Sequence, residues 1–420
     1  MDKKAADKAR RVVVVGGGAS GMTAAITAAR NGARVTVLEH TDRVGKKILV
    51  TGNGRCNFSN LRMDGGCYRS GVPEFPMRVI RSFDVERTLE FFRALGIVPV
   101  EKNGYLYPAS GQANSVLDVL RQALESEGAV VRTGVKVLGI IPGKKGFLVK
   151  LEGEELRADA VILAAGSKAA PKTGSDGSGY LLAKELGHHI IKPLPALVQL
   201  RCRETFWKRV SGVRVQAAVR LFSGERGEER LLAEDTGEVQ MTDYGISGIP
   251  VFQVSRFAAR ELDRKRKVAC ELDFWPQADG ISLEEMLSER AGLLAGKPMS
   301  EFFTGWFHRK LGDLFLFLAD IPREMPAGKL RGGTLRRLGR TIGHFRTEIA
   351  QTNSFDQAQV CSGGVDVSEI DPDTMESRIC PGLWFSGEIA DVDGICGGYN
   401  LQWAWSSGYI AGFHAAAPEL

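Results

Sequence analysis

The first forty residues alternate between short apolar runs and glycine-rich or polar breaks. Arg11–Val15 is an uninterrupted run of mostly β-branched residues, which is typical of a fully buried strand. Apolar residues between positions 19 and 29 recur on one face of a predicted helix, and Asn31-Gly32 is a helix stop signal. Arg34–Leu38 predicts a second strand. The opening pattern is therefore strand, glycine-rich loop, helix and strand.

Residues 84–163 predict two helices followed by a small β-sheet. Asp84 is expected to cap the first helix, and Ser115 with Asp118 to form a capping box at the second. Three apolar runs then predict antiparallel strands joined by short turns. These runs are Val135–Ile141, Phe147–Leu151 and Leu156–Leu163.

The pattern changes after about Lys192, where prolines interrupt the chain. Apolar and polar residues alternate from Val213 to Leu221, as in a half-exposed strand, and Val268–Phe274 predicts another strand. From Ser282 to Leu338 the spacing is helical, and we expect its aromatic group at positions 302–307 to belong to the core. This part of the chain therefore predicts an inserted β-barrel-like domain followed by a helical cap.

Composition narrows the class of protein. The 420 residues are 44% hydrophobic and 25% charged, which excludes a disordered chain, a collagen and a coiled coil. The net charge is 55 − 50 = +5, too small to imply a nucleic-acid partner. Seven cysteines without a CxxC pair or metal-ligand spacing indicate a reducing compartment and no metal site. Without a signal peptide or an apolar run near the ~20 residues of a membrane span, we expect a cytoplasmic protein with no membrane partner.

The first glycine loop has the spacing of a phosphate cradle. Gly16, Gly18 and Gly21 satisfy GxGxxG directly after the first strand. Gly16 permits the tight turn, Gly18 lets backbone N–H groups reach a pyrophosphate, and Gly21 lets helix and strand pack closely. Glu39 ends the second strand, where a carboxylate accepts ribose hydroxyls and disfavours a 2′-phosphate. The loop therefore suits the unphosphorylated adenosine ribose of FAD or NAD.

Three further segments favour FAD. Residues 42–57 form a polar, glycine-rich loop where a nicotinamide dehydrogenase normally proceeds to its next βα unit. The strand at 158–166 ends in small residues, and the strand at 382–388 ends at a glycine and a carboxylate. Gly397-Gly398 then precede a helical run, so that N–H groups and a positive helix end would lie near a flavin pyrimidine ring.

Five motifs, spread over essentially the whole chain, resemble the BaiN-like flavoproteins, bacterial FAD proteins that include bile-acid Δ4,6-reductases and relatives named aminoacetone oxidases. They are the phosphate loop, TGNGRCNFSN at 51–60, the AAG strand, TDYGISGIP at 242–250 and SGEIADVDGICGGYNLQWAWSSG at 386–408. The resemblance implies an α/β fold, in which a two-segment Rossmann-like FAD-binding domain carries an inserted β-barrel-like domain and a helical cap. The expected segments are 1–192 (FAD-binding, first segment), 193–280 (β-rich insertion), 281–340 (helical cap) and 341–420 (return strand or strands and FAD-binding, second segment).

The same resemblance implies the residues that contact FAD. They are Gly16, Gly18, Ala19, Ser20, Gly21, Glu39, Lys46, Lys47, Thr51, Asn53, Arg55, Cys56, Asn57, Val137, Ala165, Gly166, Gly387, Glu388, Gly398, Asn400 and Leu401. Two positions depart from the family pattern. Thr242-Asp243 stands where members often have Thr-His, and Cys361 where they often have Thr. A mechanism that needs that histidine or threonine is therefore not implied for this chain.

These features lead to one main functional hypothesis and two alternatives. The first is an FAD-dependent reductase that takes hydride from NAD(P)H and saturates an activated C=C bond, with a hydrophobic steroid or bile-acid enone as the substrate that the family implies. With a single GxGxxG, NAD(P)H would bind transiently in the substrate cleft. One alternative is an oxidase of a small amine that uses O2. The other is a flavin-binding protein with a regulatory or RNA-linked role, and the low net charge gives this alternative little support.

Two tyrosines are candidates for the catalytic proton donor. Tyr244 and Tyr399 each carry a phenol that can donate at neutral pH, although Tyr244 alternatively caps a turn and Tyr399 alternatively packs on the flavin. Cys56 and Cys361 are expected to be small packed side chains rather than nucleophiles. The pair His188-His189 follows a helix end and is expected to lie on the surface.

Overall fold

The computed structural model describes residues 9–225, 227–276 and 282–417. The chain divides into two compact units: Met1–Leu194 together with Gln359–Leu420, and Pro195–Ala358. The two units are connected twice, because the second is inserted between the two segments of the first.

The first segment of the first unit contains most of its elements. In chain order they are β1 (Arg11–Val15), α1 (Ala19–Arg30), β2 (Arg34–Glu39), β3 (Ser59–Asn60), β4 (Tyr68–Ser70), α2 (Phe75–Ser82), α3 (Val85–Ala94), β5 (Pro99–Lys102), β6 (Tyr105–Pro108), α4 (Ala113–Ser126), β7 (Val130–Thr133), β8 (Gly139–Pro142), β9 (Phe147–Lys150), β10 (Glu155–Ala158), β11 (Ala160–Leu163), α5 (Ser178–Glu185) and β12 (Ile190–Ala196).

The inserted unit and the final segment follow. The inserted unit contains β13 (Leu200–Cys202), α6 (Trp207–Val210), β14 (Arg214–Ser223), β15 (Arg230–Thr242), β16 (Gly245–Gly248), α7 (Ile249–Asp263), β17 (Val268–Asp273), α8 (Leu283–Leu293), α9 (Arg309–Leu318), α10 (Gly332–Gly343) and β18 (Phe345–Thr352). The final segment contains β19 (Val360–Val365), β20 (Leu383–Phe385), β21 (Val392–Gly394) and α11 (Tyr399–Ala416).

A five-stranded parallel sheet in the order β20-β11-β1-β2-β7 is the frame of the first unit. The valines of β1 are buried, as expected for a strand covered on both faces. Strand β20 comes from the final segment and pairs with β11, Leu163 opposite Phe385. Two distant parts of the chain therefore complete one sheet.

Helices α1 and α11 pack closely against each other in this unit. A Cβ at Gly408 would come within 2.5 Å of the Ser20 carbonyl oxygen, and one at Gly412 would overlap the Ala24 carbonyl oxygen. Both glycines therefore permit a backbone approach that larger residues would prevent. The contact fixes the start of α1, which carries the predicted phosphate loop.

The inserted unit is a closed barrel with strand order β13-β16-β15-β14-β17-β18. The barrel strands and helices α8, α9 and α10 share one hydrophobic core. Phe302 and Phe303 are buried in this core, which confirms that the aromatic group packs internally. The predicted α/β class with an inserted barrel and helices is thus confirmed. Strand β18 pairs with β13 and closes the barrel.

Several local predictions differ from the structure. The run Leu156–Leu163 forms two strands in different sheets, because the chain turns at Asp159, which forms an ion pair with Arg11. The predicted capping box of Ser115 is wrong: α4 begins at Ala113, and the Ser115 hydroxyl contacts Ser110 instead. The predicted strand Val135–Ile141 starts only at Gly139, since the Val135 N–H is bonded to the Glu39 carbonyl at the edge of the parallel sheet. In the described ranges, no helix has both the length and the apolar character needed to cross a bilayer.

Candidate functional site

The three glycines of the first loop have different surroundings. Gly16 has a φ of 105°, and a Cβ there would overlap the Ala164 carbonyl oxygen. A Cβ at Gly21 would overlap the Gly16 carbonyl oxygen, whereas a Cβ at Gly18 would have no neighbour within 4 Å. Gly16 and Gly21 therefore serve the packing of strand and helix, while Gly18 borders open space at the N-terminus of α1, a helix without a side-chain cap. This arrangement fits an anion at the helix start.

Glu39 lies beside this loop and stabilises it through hydrogen bonds. Its carboxylate accepts the Gly17 N–H at 2.9 Å and the Thr41 N–H at 2.8 Å, and only 8% of the residue is exposed. A carboxylate has about four lone-pair sites, so acceptor capacity remains after these two bonds. Glu39 can therefore hold the loop and accept ribose hydroxyls at the same time.

The structure brings Lys47 and Glu388 together from opposite ends of the chain. The Lys47 Nζ lies 2.6 Å from Glu388 Oε2, which also accepts the Ser167 hydroxyl at 2.9 Å. Both side chains are mostly buried, so solvent screens this ion pair less than a surface pair. Lys46, the neighbouring candidate, instead forms an ion pair with Asp42.

The loop of residues 51–57 is tightly folded. The Thr51 hydroxyl donates to the Ile48 carbonyl at 2.6 Å, and Asn53 and Cys56 both adopt left-handed backbone angles. Burial raises the pKa of the Cys56 thiol to about 12. A thiolate is therefore unfavourable at neutral pH, in keeping with the expectation of a packed side chain, and Arg55 is exposed.

The C-terminal motif forms a second glycine turn at the start of α11. Gly398 has a φ of 92°, and a Cβ there would lie 2.6 Å from the Ser59 carbonyl oxygen and 2.9 Å from Asn57 Oδ1. The Asn57 Oδ1 atom is buried and has no hydrogen-bond partner in the part of the chain that the structure describes. Asn400 uses its side-chain amide to bond the backbone N–H and C=O of Gly394. The turn therefore leaves one buried acceptor beside a helix N-terminus.

The remaining predicted contacts lie around the carboxyl ends of the parallel strands. Ala165 and Gly166 lie just beyond the end of β11, Gly387 lies just beyond β20, and Val137 is buried after β7. A Cβ at Gly387 would overlap the hydroxyl of Ser20, while Ala19 and Leu401 are partly buried against the core. Ligands of open α/β sheets bind at this edge.

The two candidate tyrosines lie in different units. In the first unit, Tyr399 is buried, and burial raises the pKa of its phenol well above the usual value, with a further increase from its hydrogen bond with Cys67. In the inserted unit, the Tyr244 hydroxyl accepts the Asn353 side-chain N–H at 2.9 Å, and the Arg201 guanidinium lies 4.4 Å from the centre of its ring. Tyr399 therefore keeps its proton at neutral pH, and Tyr244 has a partner of its own.

The expectation of two surface histidines is wrong for His188. Its side chain is fully buried, with Nδ1 3.0 Å from Glu369 and Nε2 2.9 Å from the Ser377 hydroxyl. Burial lowers the pKa of His188, partly offset by Glu369. These partners are 181 and 189 residues away, so no local signal could have indicated them, whereas the His189 side chain is mostly exposed as expected.

These residues fit the dinucleotide that the sequence predicts. The open space at Gly18 suits a phosphate, and the Glu39 carboxylate can accept ribose hydroxyls. The buried Asn57 Oδ1 is an acceptor for a polar ring. The Ser386 hydroxyl, also buried, has no hydrogen-bond partner within the described ranges. In the same ranges there is no group of three or more His, Cys, Asp or Glu that could hold a metal ion.

Comparison with known proteins gives one family match, two relatives and one solved structure. Residues 10–414 match the model of the HI0933-like protein Rossmann domain. The chain is 45% identical over 408 residues to a 3-dehydro-bile acid delta(4,6)-reductase of Clostridium scindens, covering 97% of this chain and 99% of that protein. It is 28% identical over 401 residues to a ribosomal RNA dihydrouridine synthase of Escherichia coli, covering 94% and 96%. A solved 3-ketosteroid-delta4-(5alpha)-dehydrogenase of Rhodococcus jostii is 17% identical with a TM-score of 0.48, covering 97% of each chain.

Proposed function

The chain belongs to the HI0933-like family, as its BaiN-like motifs predict. On this premise we propose that it is an FAD-dependent oxidoreductase that reduces an activated C=C bond with NAD(P)H as electron donor. The proposed substrate is a 3-oxo-Δ4,6 enone of the steroid or bile-acid type. The observation that carries the proposal is 45% identity to a bile-acid reductase over 97% of the chain. The open start of α1, which suits an anion, supports it.

The chain's own residues have three tasks in this proposal. When bound, FAD supplies hydride transfer. The N–H groups around Gly18 would hold its pyrophosphate, Glu39 would accept its ribose hydroxyls, and the start of α11 would present a positive helix end to its ring. Tyr399 stays the candidate protein acid in this unit, because it begins α11 in the C-terminal motif and its phenol is protonated at neutral pH.

The seven cysteines are free thiols, which supports a reducing, cytoplasmic location. No second glycine-rich nicotinamide motif follows the first, so NAD(P)H would share the cleft with the substrate. Tyr244 stays a second candidate for the proton donor.

An anaerobic mixing experiment tests the reaction type. Purified protein that contains FAD should lose its flavin absorbance on addition of NADH or NADPH, and a 3-oxo-Δ4,6 bile acid should restore it while gaining two hydrogens by mass. Flavin that NAD(P)H leaves oxidised, but that a small amine reduces with peroxide formed in air, would refute the reductase and favour the amine oxidase.

A second candidate substrate is a uridine of ribosomal RNA. Its C5=C6 bond is conjugated with a carbonyl, as the bond of an enone is, and the dihydrouridine synthases are 28–29% identical to this chain. One local feature favours it: residues 325–347 contain six Lys or Arg and no acidic residue, and Arg331, Arg336 and Arg340 are exposed. Dihydrouridine detected by mass spectrometry after incubation with ribosomal RNA, without reduction of the enone, would favour this candidate.

A further inference from the structure

Tyr180 carries a buried hydroxyl whose environment is incomplete. The residue lies in the first turn of α5 and is 7% exposed. Its hydroxyl oxygen has no hydrogen-bond partner within the described ranges and almost no contact with solvent. Buried hydroxyls without a partner are rare in native proteins, because leaving one unsatisfied costs free energy. The hydroxyl is therefore available to a partner that the described residues do not supply.

The first turn of α5, which carries Tyr180, lies beside the candidate site. A Cβ at Gly179 would lie 2.7 Å from the Ala165 side chain and 2.9 Å from Ile389 Cδ1, so the first turn of α5 rests on the segments that follow β11 and β20. These are the carboxyl ends of two neighbouring parallel strands, where α/β sheets bind their ligands. Sequence reasoning did not include Tyr180 among the site residues.

The acidic side chains near the phenol each have a hydrogen-bond partner of their own. Glu388 and Asp391 lie near enough to affect the Tyr180 phenol electrostatically, as does Cys361. Glu388 accepts from Lys47 and Ser167, and Asp391 accepts the Gly71 N–H at 2.9 Å. Burial, reinforced by these acidic neighbours, raises the pKa of Tyr180 well above its usual value. The group is therefore a hydrogen-bond donor at neutral pH, and in the described ranges no hydrogen bond joins it to these side chains.

Within the described ranges, the Ser386 hydroxyl and Asn57 Oδ1 are further buried polar atoms without a partner, and both lie in segments predicted to contact the cofactor. Ser386 precedes Gly387, and Asn57 Oδ1 faces Gly398. One ligand that occupies the carboxyl edge of the sheet would supply partners to this region, whereas separate waters would have to be assumed for each atom. This favours the ligand over trapped water as the acceptor for Tyr180.

We propose that the Tyr180 hydroxyl donates a hydrogen bond to an acceptor atom of the bound flavin cofactor. The inference rests on the proposed function, since it requires that the protein binds FAD. The family motifs place the cofactor site in loops of the first and last segments. Tyr180 would add to it a residue of α5, the helix that follows the AAG strand.

The Tyr180→Phe variant tests this inference through cofactor affinity rather than turnover. FAD is removed from wild-type and variant protein, and its dissociation constant is measured by fluorescence titration. We expect Tyr180→Phe to bind FAD about 2- to 10-fold more weakly, the range for one lost hydrogen bond. The melting temperature of the FAD-free variant should equal or exceed that of wild type, because an unsatisfied hydroxyl is removed, while that of the FAD-loaded variant should be lower. Tyr409→Phe, which alters a partly buried ring stacked on Phe83, is the matched control and should change neither.

The outcomes separate this inference from the proposed function. Wild-type protein that does not bind FAD would overturn both. Wild-type binding that Tyr180→Phe leaves unchanged would overturn only the role of Tyr180, and equal destabilisation of the free and loaded variant would assign the hydroxyl to a buried water. Unchanged FAD affinity with weaker binding of a 3-keto-4-ene steroid to the loaded variant would assign it to the substrate, and would likewise overturn the proposal.

Discussion

Replacing Gly18 by aspartate should affect the empty protein and cofactor binding in opposite directions. Gly18 occupies the N-cap position of α1 with extended backbone angles, φ −78° and ψ −169°, which any residue can adopt. A Cβ there meets no atom within 4 Å, so an aspartate side chain has room. In the empty protein, the new carboxylate would cap a helix that has no side-chain cap.

The magnitudes follow from the two environments. An aspartate N-cap and its interaction with the helix dipole should together raise the free energy of unfolding of the FAD-free protein by about 0.5–1 kcal/mol. In the complex, the same carboxylate would stand beside the pyrophosphate. Two like charges about 4 Å apart repel by about 4 kcal/mol at the effective dielectric constant of a protein surface, which corresponds to roughly three decades of affinity.

The assay measures both quantities on the same protein. Gly18→Asp should purify without colour, and urea denaturation of FAD-free samples should show it to be at least as stable as wild type. Gly18→Asn, which has nearly the same size and caps equally well but has no charge, should lose less affinity. Stoichiometric FAD in Gly18→Asp would refute the assignment of the phosphate site, and a clear loss of stability without FAD would refute the open space at Gly18.

Other predictions concern the groups that support this loop. Glu39→Gln should lower the free energy of unfolding by about 1–2 kcal/mol, because the N–H group of either Gly17 or Thr41 would then face an amide N–H in place of an acceptor. An unchanged urea midpoint would contradict this. Burial lowers the pKa of His188, so the unfolded chain binds that proton more readily than the folded one. Stability linked to His188 should be complete above about pH 6.5 and decrease as the pH falls below it, and a His188→Gln variant whose urea midpoint is as pH-dependent as that of wild type would contradict this. Cys56, with a pKa raised to about 12, should resist iodoacetamide in the folded protein at pH 8, and rapid alkylation detected by peptide mass spectrometry would be the contrary result.

Local signals predicted the parts of the fold whose interactions are local. The run Arg11–Val15 is β1 with the same bounds, and the roles assigned to Gly16 and Gly21 agree with the overlaps that a Cβ would cause there. The spacing of these residues depends only on one strand and the first turn of one helix, so a short stretch of sequence is enough to predict it. The split of Leu156–Leu163 could not be seen, because hydrophobic periodicity does not show which sheet a strand joins.

The long-range part of the site depended on the family resemblance. Lys47 and Glu388 were both expected near the cofactor, but their 2.6 Å ion pair joins residues 341 positions apart. No sequence signal marked Tyr180 or His188 as a buried polar residue. His188 is distinguished by partners that lie far away in the sequence, and Tyr180 by a hydroxyl without a partner in the described ranges. Such properties arise only after the chain has folded.

The way in which the sheet is completed has a consequence for how the site forms. Strand β20 and helix α11 belong to the final segment, yet β20 pairs with β11 and α11 packs on α1, where Gly408 and Gly412 permit close contact. Lys47 likewise obtains its carboxylate partner only from residue 388. The contacts that hold the start of α1 and neutralise Lys47 are therefore complete only when the last segment is in place. A truncated chain that ends before β20 would keep the GxGxxG sequence but would lack both the helix that supports α1 and the counter-charge of Lys47, so the motif alone is not expected to bind FAD.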